Sequence, residues 1–400
     1  MTAMHRRDLL KLAAAAPATA YAGRLWAAPQ ASTRVLVVFL RGAYDAANVV
    51  IPVGSDFYYQ ARPNIHIAKP DPSNPNAALP LDADYGLHPW LKDSIYPLWQ
   101  KGQVAFVPFA GTDDLTRSHF ETQDTIELGQ PVQGSRNFRS GFLSRLYGQI
   151  SGRALPIAFT DNMPLSFRGG PPVPNVSVGG LGAHGVDDRQ AQLIMQMYQG
   201  QPLSKSVAEG FEMRQEVSQA MSGEMMAASR GAASPKGFEL AARRIGRLMQ
   251  TSYNLAFVDV GGWDTHVNQG SADGYLGHQL QDLGAGLNGF IDEIGPEAWN
   301  DTVVVVVSEF GRTFRENGDK GTDHGHGSVY WVMGGAIKGG RIVGDQVKIA
   351  PETLNENRDY PVLTDYRALL GGLFQRIYGL DQTRLQAVFP QVAPRDLQIV

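Results

Sequence analysis

The chain has 400 residues, no cysteine, 43% hydrophobic residues, 18% charged residues and a formal net charge of −4. That apolar fraction excludes a disordered chain, the missing cysteines exclude disulfides, zinc–thiolate sites and thiol nucleophiles, and the mild acidity argues against a general nucleic-acid binder. With 45 glycines and 24 prolines, about one residue in six, many loops are expected.

The first feature along the chain is an address. His5-Arg6-Arg7-Asp8-Leu9-Leu10-Lys11 is followed by an Ala-rich apolar stretch over 12–22 and by Ala20-Tyr21-Ala22, an A-x-A type end; Ala27 or Ala28 offers an alternative cleavage point. A twin-arginine pair, a short apolar region and small residues predict a Tat export signal over 1–28, with the Tat translocase as partner during export and a periplasmic or extracellular destination. Its removal takes away Arg6, Arg7, Lys11 and Arg24 against Asp8, so the mature chain would carry −7. No other segment is apolar and long enough to serve as a stable transmembrane anchor.

Runs of β-favouring apolar residues without alternation suit strands buried on both faces of a parallel sheet. They lie at 35–40, 104–109, 155–159, 255–260, 302–308 and, more weakly, 330–333. Helical patterns fall between them at 89–100, at 119–128 with a stop at Gly129, and at 276–294 with a stop at Gly295-Pro296. Another spans 364–378, with Leu369, Leu370, Leu373, Phe374 and Ile377 on one side. Strands alternating with helices predict an α/β fold with a mostly parallel, doubly wound sheet. A single domain over 33–400 is expected, interrupted by a Pro/Gly-rich loop at 162–185 and a Met-bearing helical insertion at 187–250.

Polar residues gather just after the strands, the edge at which open α/β sheets bind ligands. Arg41-Gly-Ala-Tyr-Asp45 follows the first strand; Asp45 is a candidate metal ligand or a helix cap. Arg117-Ser118-His119-Phe120 opens a helix, where backbone N–H groups favour an anion or an alkoxide, although Ser is also the commonest cap. Asp259-Val-Gly-Gly-Trp-Asp264-Thr-His266 puts an Asp and a His two apart on a turn begun by glycines. Ser308-Glu309-Phe-Gly-Arg312-Thr313 is followed by Asp323-His324-Gly-His326. Asp45, Asp264, His266, Glu309, Asp323, His324 and His326 are thus the candidate metal ligands, with Ser118, His119 and Arg312 (or Arg117) as catalytic candidates. Such nitrogen and carboxylate donors without sulfur suit Zn, Mn, Fe or Mg, and so many acids at one edge would repel without a cation.

These motifs, in this order and over nearly the whole mature chain, resemble the domain-of-unknown-function 1501 family. The closing Val332-Met-Gly-Gly-Ala-Ile-Lys-Gly-Gly340 fits the same resemblance. That family is grouped with the alkaline phosphatase and sulfatase-like superfamily. The resemblance implies a three-layer α/β/α sandwich with one or two divalent ions (Zn, Mn, Mg or Ca) at the strand carboxyl ends. It assigns the first-strand acid to Asp45, the nucleophile to Ser118, the first-metal acid to Asp264 with Asp259 five residues earlier, the strand-end acid to Glu309, and a late His ligand to His324 or His326. The chain departs from the superfamily pattern at Glu309-Phe310, where an Asp-His pair is usual, and at Asn268, where a His is usual. The implied activity is hydrolysis of phosphate or sulfate esters, with an anionic ester as substrate. An envelope binding or assembly protein keeping one metal and taking an envelope ligand is the alternative. A redox enzyme is disfavoured by the lack of a cysteine cluster, a haem attachment motif or a dinucleotide fingerprint.

Overall fold

The computed structural model describes residues 33–150, 154–177, 197–201, 204 and 238–400. The proposed export signal, the end of the 162–185 loop and most of the 187–250 insertion lie outside the described residues.

The strands in chain order are β1 (Arg34–Leu40), β2 (Val50–Ile51), β3 (Leu79–Pro80), β4 (Gly86–Leu87), β5 (Val104–Gly111), β6 (Pro156–Phe159), β7 (Leu255–Val260), β8 (Thr302–Ser308), β9 (Ser328–Met333), β10 (Arg341–Ile342) and β11 (Thr364–Asp365). Eight of them form one sheet in the order β10-β5-β9-β8-β1-β7-β6, with β11 also on β5. β2, β4 and β3 make a small antiparallel sheet.

In the large sheet β1 runs parallel to both β7 and β8, and β9 alone is antiparallel, paired with β8 on one side and β5 on the other. Apolar runs without alternation make sense here because both faces are covered. Val35, Val37 and Phe39 join one core with Phe142, Leu146, Leu369, Leu373, Phe374 and Leu385 from helices Phe142–Gln149, Tyr366–Tyr378 and Gln382–Val388. Leu36, Val38 and Leu40 join the other core with Ile95, Ile245, Met249, Leu280, Leu287 and Phe290 from helices Ile95–Gln100, Phe238–Thr251 and Tyr275–Asn300. The result is the mostly parallel, doubly wound sheet that the sequence predicts, in the three-layer α/β/α sandwich that the resemblance implies.

Several ends differ from the sequence reading for local reasons. The stretch 89–100 is not one helix. A 3-10 turn at Pro89–Leu91, whose Trp90 N–H is accepted by the His88 ring, precedes a separate helix, Ile95–Gln100. Pro97 lacks an N–H and its ring crowds the carbonyl four residues back, so the helix cannot run through 93. The long helix stops being helical at Gly295 (φ 78°, ψ 161°), and Pro296 opens a further turn to Asn300. The last predicted helix starts two residues later, because Thr364 and Asp365 pair with β5 and the Asp365 carboxylate caps by accepting from the Arg367 N–H.

Candidate metal centre

The site forms at the carboxyl edge of the parallel strands. Because β9 is antiparallel, its entry segment, Asp323-His324-Gly-His326, reaches the same edge. It is zipped to the segment leaving β8: Thr313 N–H donates to the Asp323 carbonyl (2.8 Å), Gly325 N–H to Gly311 (2.8 Å) and Gly311 N–H to His326 (2.8 Å). The loop after β7 joins through Thr322 N–H to the Thr265 carbonyl (3.0 Å). Two glycines make the close approach possible. Gly262 takes φ +88° in the turn toward Trp263, and Gly42 sits at φ +117°, where an added Cβ would lie 2.8 Å from the Asp264 nitrogen.

Four side chains converge. His119, Asp264 and His324 offer donor atoms all within 4.8 Å of one another. His324 Nε2 lies 2.9 Å from His119 Nε2 and 3.0 Å from His266 Nε2. Asp264 Oδ1 lies 3.0 Å from His266 Nε2 and 3.5 Å from His324 Nε2, and Asp264 Oδ2 lies 3.5 Å from His119 Nε2.

The outer nitrogens fix the state of these rings. His119 Nδ1 faces Glu309 Oε1 at 2.8 Å, His324 Nδ1 faces the Arg117 carbonyl at 2.9 Å, and His266 Nδ1 faces Asp323 Oδ1 at 3.2 Å. Each of these partners only accepts, so each ring carries its proton on Nδ1 when neutral. Three Nε2 lone pairs and a carboxylate then point at one another, an arrangement that repels unless a cation or a proton stands among them. A tetrahedral ion bound at about 2.0–2.1 Å needs donors roughly 3.3 Å apart, comparable to the 2.9 Å between His119 and His324 and the 3.5 Å from each of these rings to an Asp264 oxygen. The donor atoms of His119, Asp264 and His324 are therefore compatible with one divalent ion, with His266 beside them at 3.0 Å from both His324 Nε2 and Asp264 Oδ1.

Burial works to raise the Asp264 pKa, but the Arg312 hydrogen bond and charge, with His266 and His119 nearby, hold it below the ordinary carboxylate range. His119 is raised, first by its hydrogen bond to Glu309. His324 is lowered by burial and by the neighbouring His119, which favours the neutral ring.

The other candidates are placed differently. Asp45 is 1% exposed and spent elsewhere: its oxygens accept from Arg62 Nη1 (2.5 Å), Arg62 Nη2 (3.0 Å) and Gln269 Nε2 (2.6 Å). It is neither a donor to the cluster nor a cap, for it makes no side-chain cap bond to the turn Ala46–Asn48. Glu309 is also not among the converging donors. It is buried and accepts from Gly42 N–H (2.8 Å), Gln123 Nε2 (2.9 Å) and Ser308 Oγ (2.9 Å) besides His119, so its role is to orient that ring. Asp323 likewise anchors His266 and is itself held by Asn317 Nδ2 at 3.1 Å. The buried His326 ring bonds the Asp114 backbone instead, and burial and the charge of Arg117 lower its pKa.

Arg312 is buried, with Nη1 donating to Asp264 Oδ1 (2.6 Å), Nε to Thr322 Oγ1 (3.2 Å) and Nη2 to the Thr322 carbonyl. It braces Asp264 rather than standing ready as a fork for a substrate anion. Arg117 is bound to Asp359 (2.8 Å) and Glu356 (2.6 Å), and Asp259 accepts from Arg41 Nε (2.7 Å). Ser118 is the half-buried N-cap residue of helix His119–Leu128, yet its hydroxyl makes no cap bond. Phe310, where the pattern usually has an imidazole, stacks on His119 with ring centroids 5.0 Å apart. His119 brings an imidazole to the cluster from a different element.

Sequence reading missed Gln123, Arg62, Gln269 and Asn317. Only Gln123 carried a signal: it lies four residues after His119, one turn along the same helix face.

The family described as a protein of unknown function (DUF1501) matches residues 107–389, and the chain belongs to that family. No curated protein matches the chain. Among solved structures, it is similar to a protein in the alkaline phosphatase superfamily from Vibrio parahaemolyticus, at 14% identity and a TM-score of 0.37, over 84% of this chain and 71% of that one. It is also similar to Ps i-CgsB, solved in complex with k-i-k-neocarrahexaose, at 9% identity and a TM-score of 0.36, over 92% and 75% of the two chains. Among the described residues, no helix is long and apolar enough to cross a membrane.

Proposed function

We propose that the protein is a metal-dependent hydrolase of phosphate or sulfate esters built on one divalent ion. The observation that carries this reading is the convergence of the His119 and His324 nitrogens and the Asp264 carboxylate, with the His266 nitrogen beside them. A single ion is favoured over two because Asp45, Glu309 and Asp323 are already committed to Arg62, His119 and His266. A divalent ion held there supplies Lewis acidity toward an ester oxygen. Ser118 is the nucleophile in this reading. It directly precedes His119, its hydroxyl is not used as a cap, and helix-start N–H groups favour the anionic oxygens of a phosphate or sulfate. Arg312 keeps Asp264 ionised and correctly turned.

A second reading has its own support. Arg312 and Arg117 are both paired with carboxylates, which leaves neither guanidinium for an anionic ester. That arrangement suits an exported binding or assembly protein that retains the ion for structure or ligand capture.

Elemental analysis of the full chain, with turnover assays on aryl phosphates and aryl sulfates, decides between them. One ion per chain, and turnover lost in Ser118→Ala, is the expected result. Bound metal with no turnover above the Ser118→Ala control would favour the binding protein. No bound metal with any divalent ion would refute both.

A further inference from the structure

We propose that Gln123 and Arg41 are positioning residues for the His119 donor atom and so set the affinity of the metal centre; the inference rests on the single-ion reading above. The three clustered rings are steadied in different ways. His324 leans on a backbone carbonyl and His266 on an Asp at the rim, but His119 leans on a carboxylate wholly inside the protein. That carboxylate, Glu309, has little freedom because three donors share Oε1: Gly42 N–H, Gln123 Nε2 and His119 Nδ1.

Gln123 can serve only in one orientation. With its amide flipped, an oxygen would face Glu309 Oε1 and repel it. Arg41 prevents the flip, since its Nη1 donates to Gln123 Oε1 at 2.8 Å and demands an acceptor there. Arg41 is itself held from two sides, by Glu127 Oε1 (2.8 Å) and Asp259 Oδ2 (2.7 Å), with its guanidinium 4.7 Å from the Phe39 ring centroid. A continuous chain therefore runs from β7 and the Phe39 ring through Arg41, Gln123 and Glu309 to His119, and each link dictates the orientation of the next. Groups that orient a metal-bound imidazole typically contribute 10–100-fold to affinity. Gln123 and Arg41 act one and two steps behind that orienting carboxylate.

The test is the zinc affinity of the full chain, measured by competition with a chromogenic chelator, together with long-range nitrogen NMR of the His119 tautomer in the metal-free protein. Wild type is expected to bind zinc and to carry the His119 proton on Nδ1. Gln123→Met keeps the length of the side chain but removes the donor and the acceptor. It is expected to lose about 10-fold or more in affinity and to show mixed His119 tautomers, with its urea midpoint near wild type. Arg41→Lys keeps the charge without the fork and is expected to fall between the two; it carries the same test should Gln123→Met not fold. Zinc affinity within twofold of wild type and an unchanged tautomer in both variants would overturn the inference while leaving the metal centre intact. Wild type that binds no divalent ion would overturn the metal centre and the inference together.

Discussion

The pairing of Asp45 with Arg62 makes a sharp prediction, because it separates a structural acid from a ligand. Arg62 is fully buried, and its remaining donors reach Phe314 (2.7 Å), Asn48 (3.0 Å) and Thr313 (3.1 Å). Asp45→Asn keeps the shape, but it removes the only carboxylate paired with that guanidinium among the described residues and sets an amide donor against guanidinium donors. Leaving one buried charge of such a pair unpartnered costs about 3–5 kcal/mol. Against the usual total of roughly 5–15 kcal/mol, this is a large fraction. Arg62→Met should cost a similar amount, since Asp45 would keep only Gln269. The double variant should cost about 0.5–3 kcal/mol less than the sum of the two, because it removes both charges together. Urea unfolding followed by tryptophan fluorescence, on chelator-treated protein, reads the midpoint at constant slope. Zinc affinity of the folded Asp45→Asn variant should match wild type. A wild-type urea midpoint combined with a loss of zinc affinity as large as that of His324→Ala would show that Asp45 is a ligand, and the reasoning would be wrong.

Ser118→Ala should change stability by less than about 0.5 kcal/mol, below the usual ~1 kcal/mol for losing an N-cap, because the hydroxyl makes no cap bond; a larger loss of urea midpoint would reveal a hidden cap. Gly42→Ala should destabilise by about 1–3 kcal/mol and weaken zinc binding, since the new Cβ would press on the Asp264 nitrogen and φ +117° strains an L residue; an unchanged zinc titration would show that the loop absorbs the clash. Glu309 gives a pH signature in the chelated protein. Burial alone would raise its pKa, but His119, Gln123 and the backbone amides of Glu309 and Gly42 hold it below the ordinary 4.5. A carboxylate whose folded pKa is depressed stabilises fully above its unfolded value and loses that contribution as pH falls through the folded one. Glu309→Gln should therefore be less stable than wild type near pH 7, and the gap should narrow below about pH 4.5. Parallel acid profiles for the two proteins would contradict this.

Much of the architecture was legible in the residues. Unalternating runs such as Val303 to Val307 can be stable only where both faces are covered, and they proved to be central strands with helices on either side. Gly129 at φ +61° and Gly295 at φ +78° end helices where the punctuation predicts. The 89–100 stretch was misread because apolar periodicity spoke louder than Pro97. In the site, Asp264, His266, His324 and His119 come together as their places at the sheet edge suggest. Asp45, Glu309, Asp323 and His326 share that edge and were indistinguishable from ligands by type and spacing.

What decided among them lies in partners remote in the chain. Asp45 meets Gln269, 224 residues away, and His119 meets Glu309, 190 residues away. By itself the sequence determined which side chains could bind a cation and which edge they would reach, because strand periodicity and loop placement are local. Only the tertiary structure decided which acids face the imidazole cluster and which face an arginine or a single outer imidazole nitrogen. A carboxylate has the same charge in either setting, and what it does depends on the donor that packing sets against it.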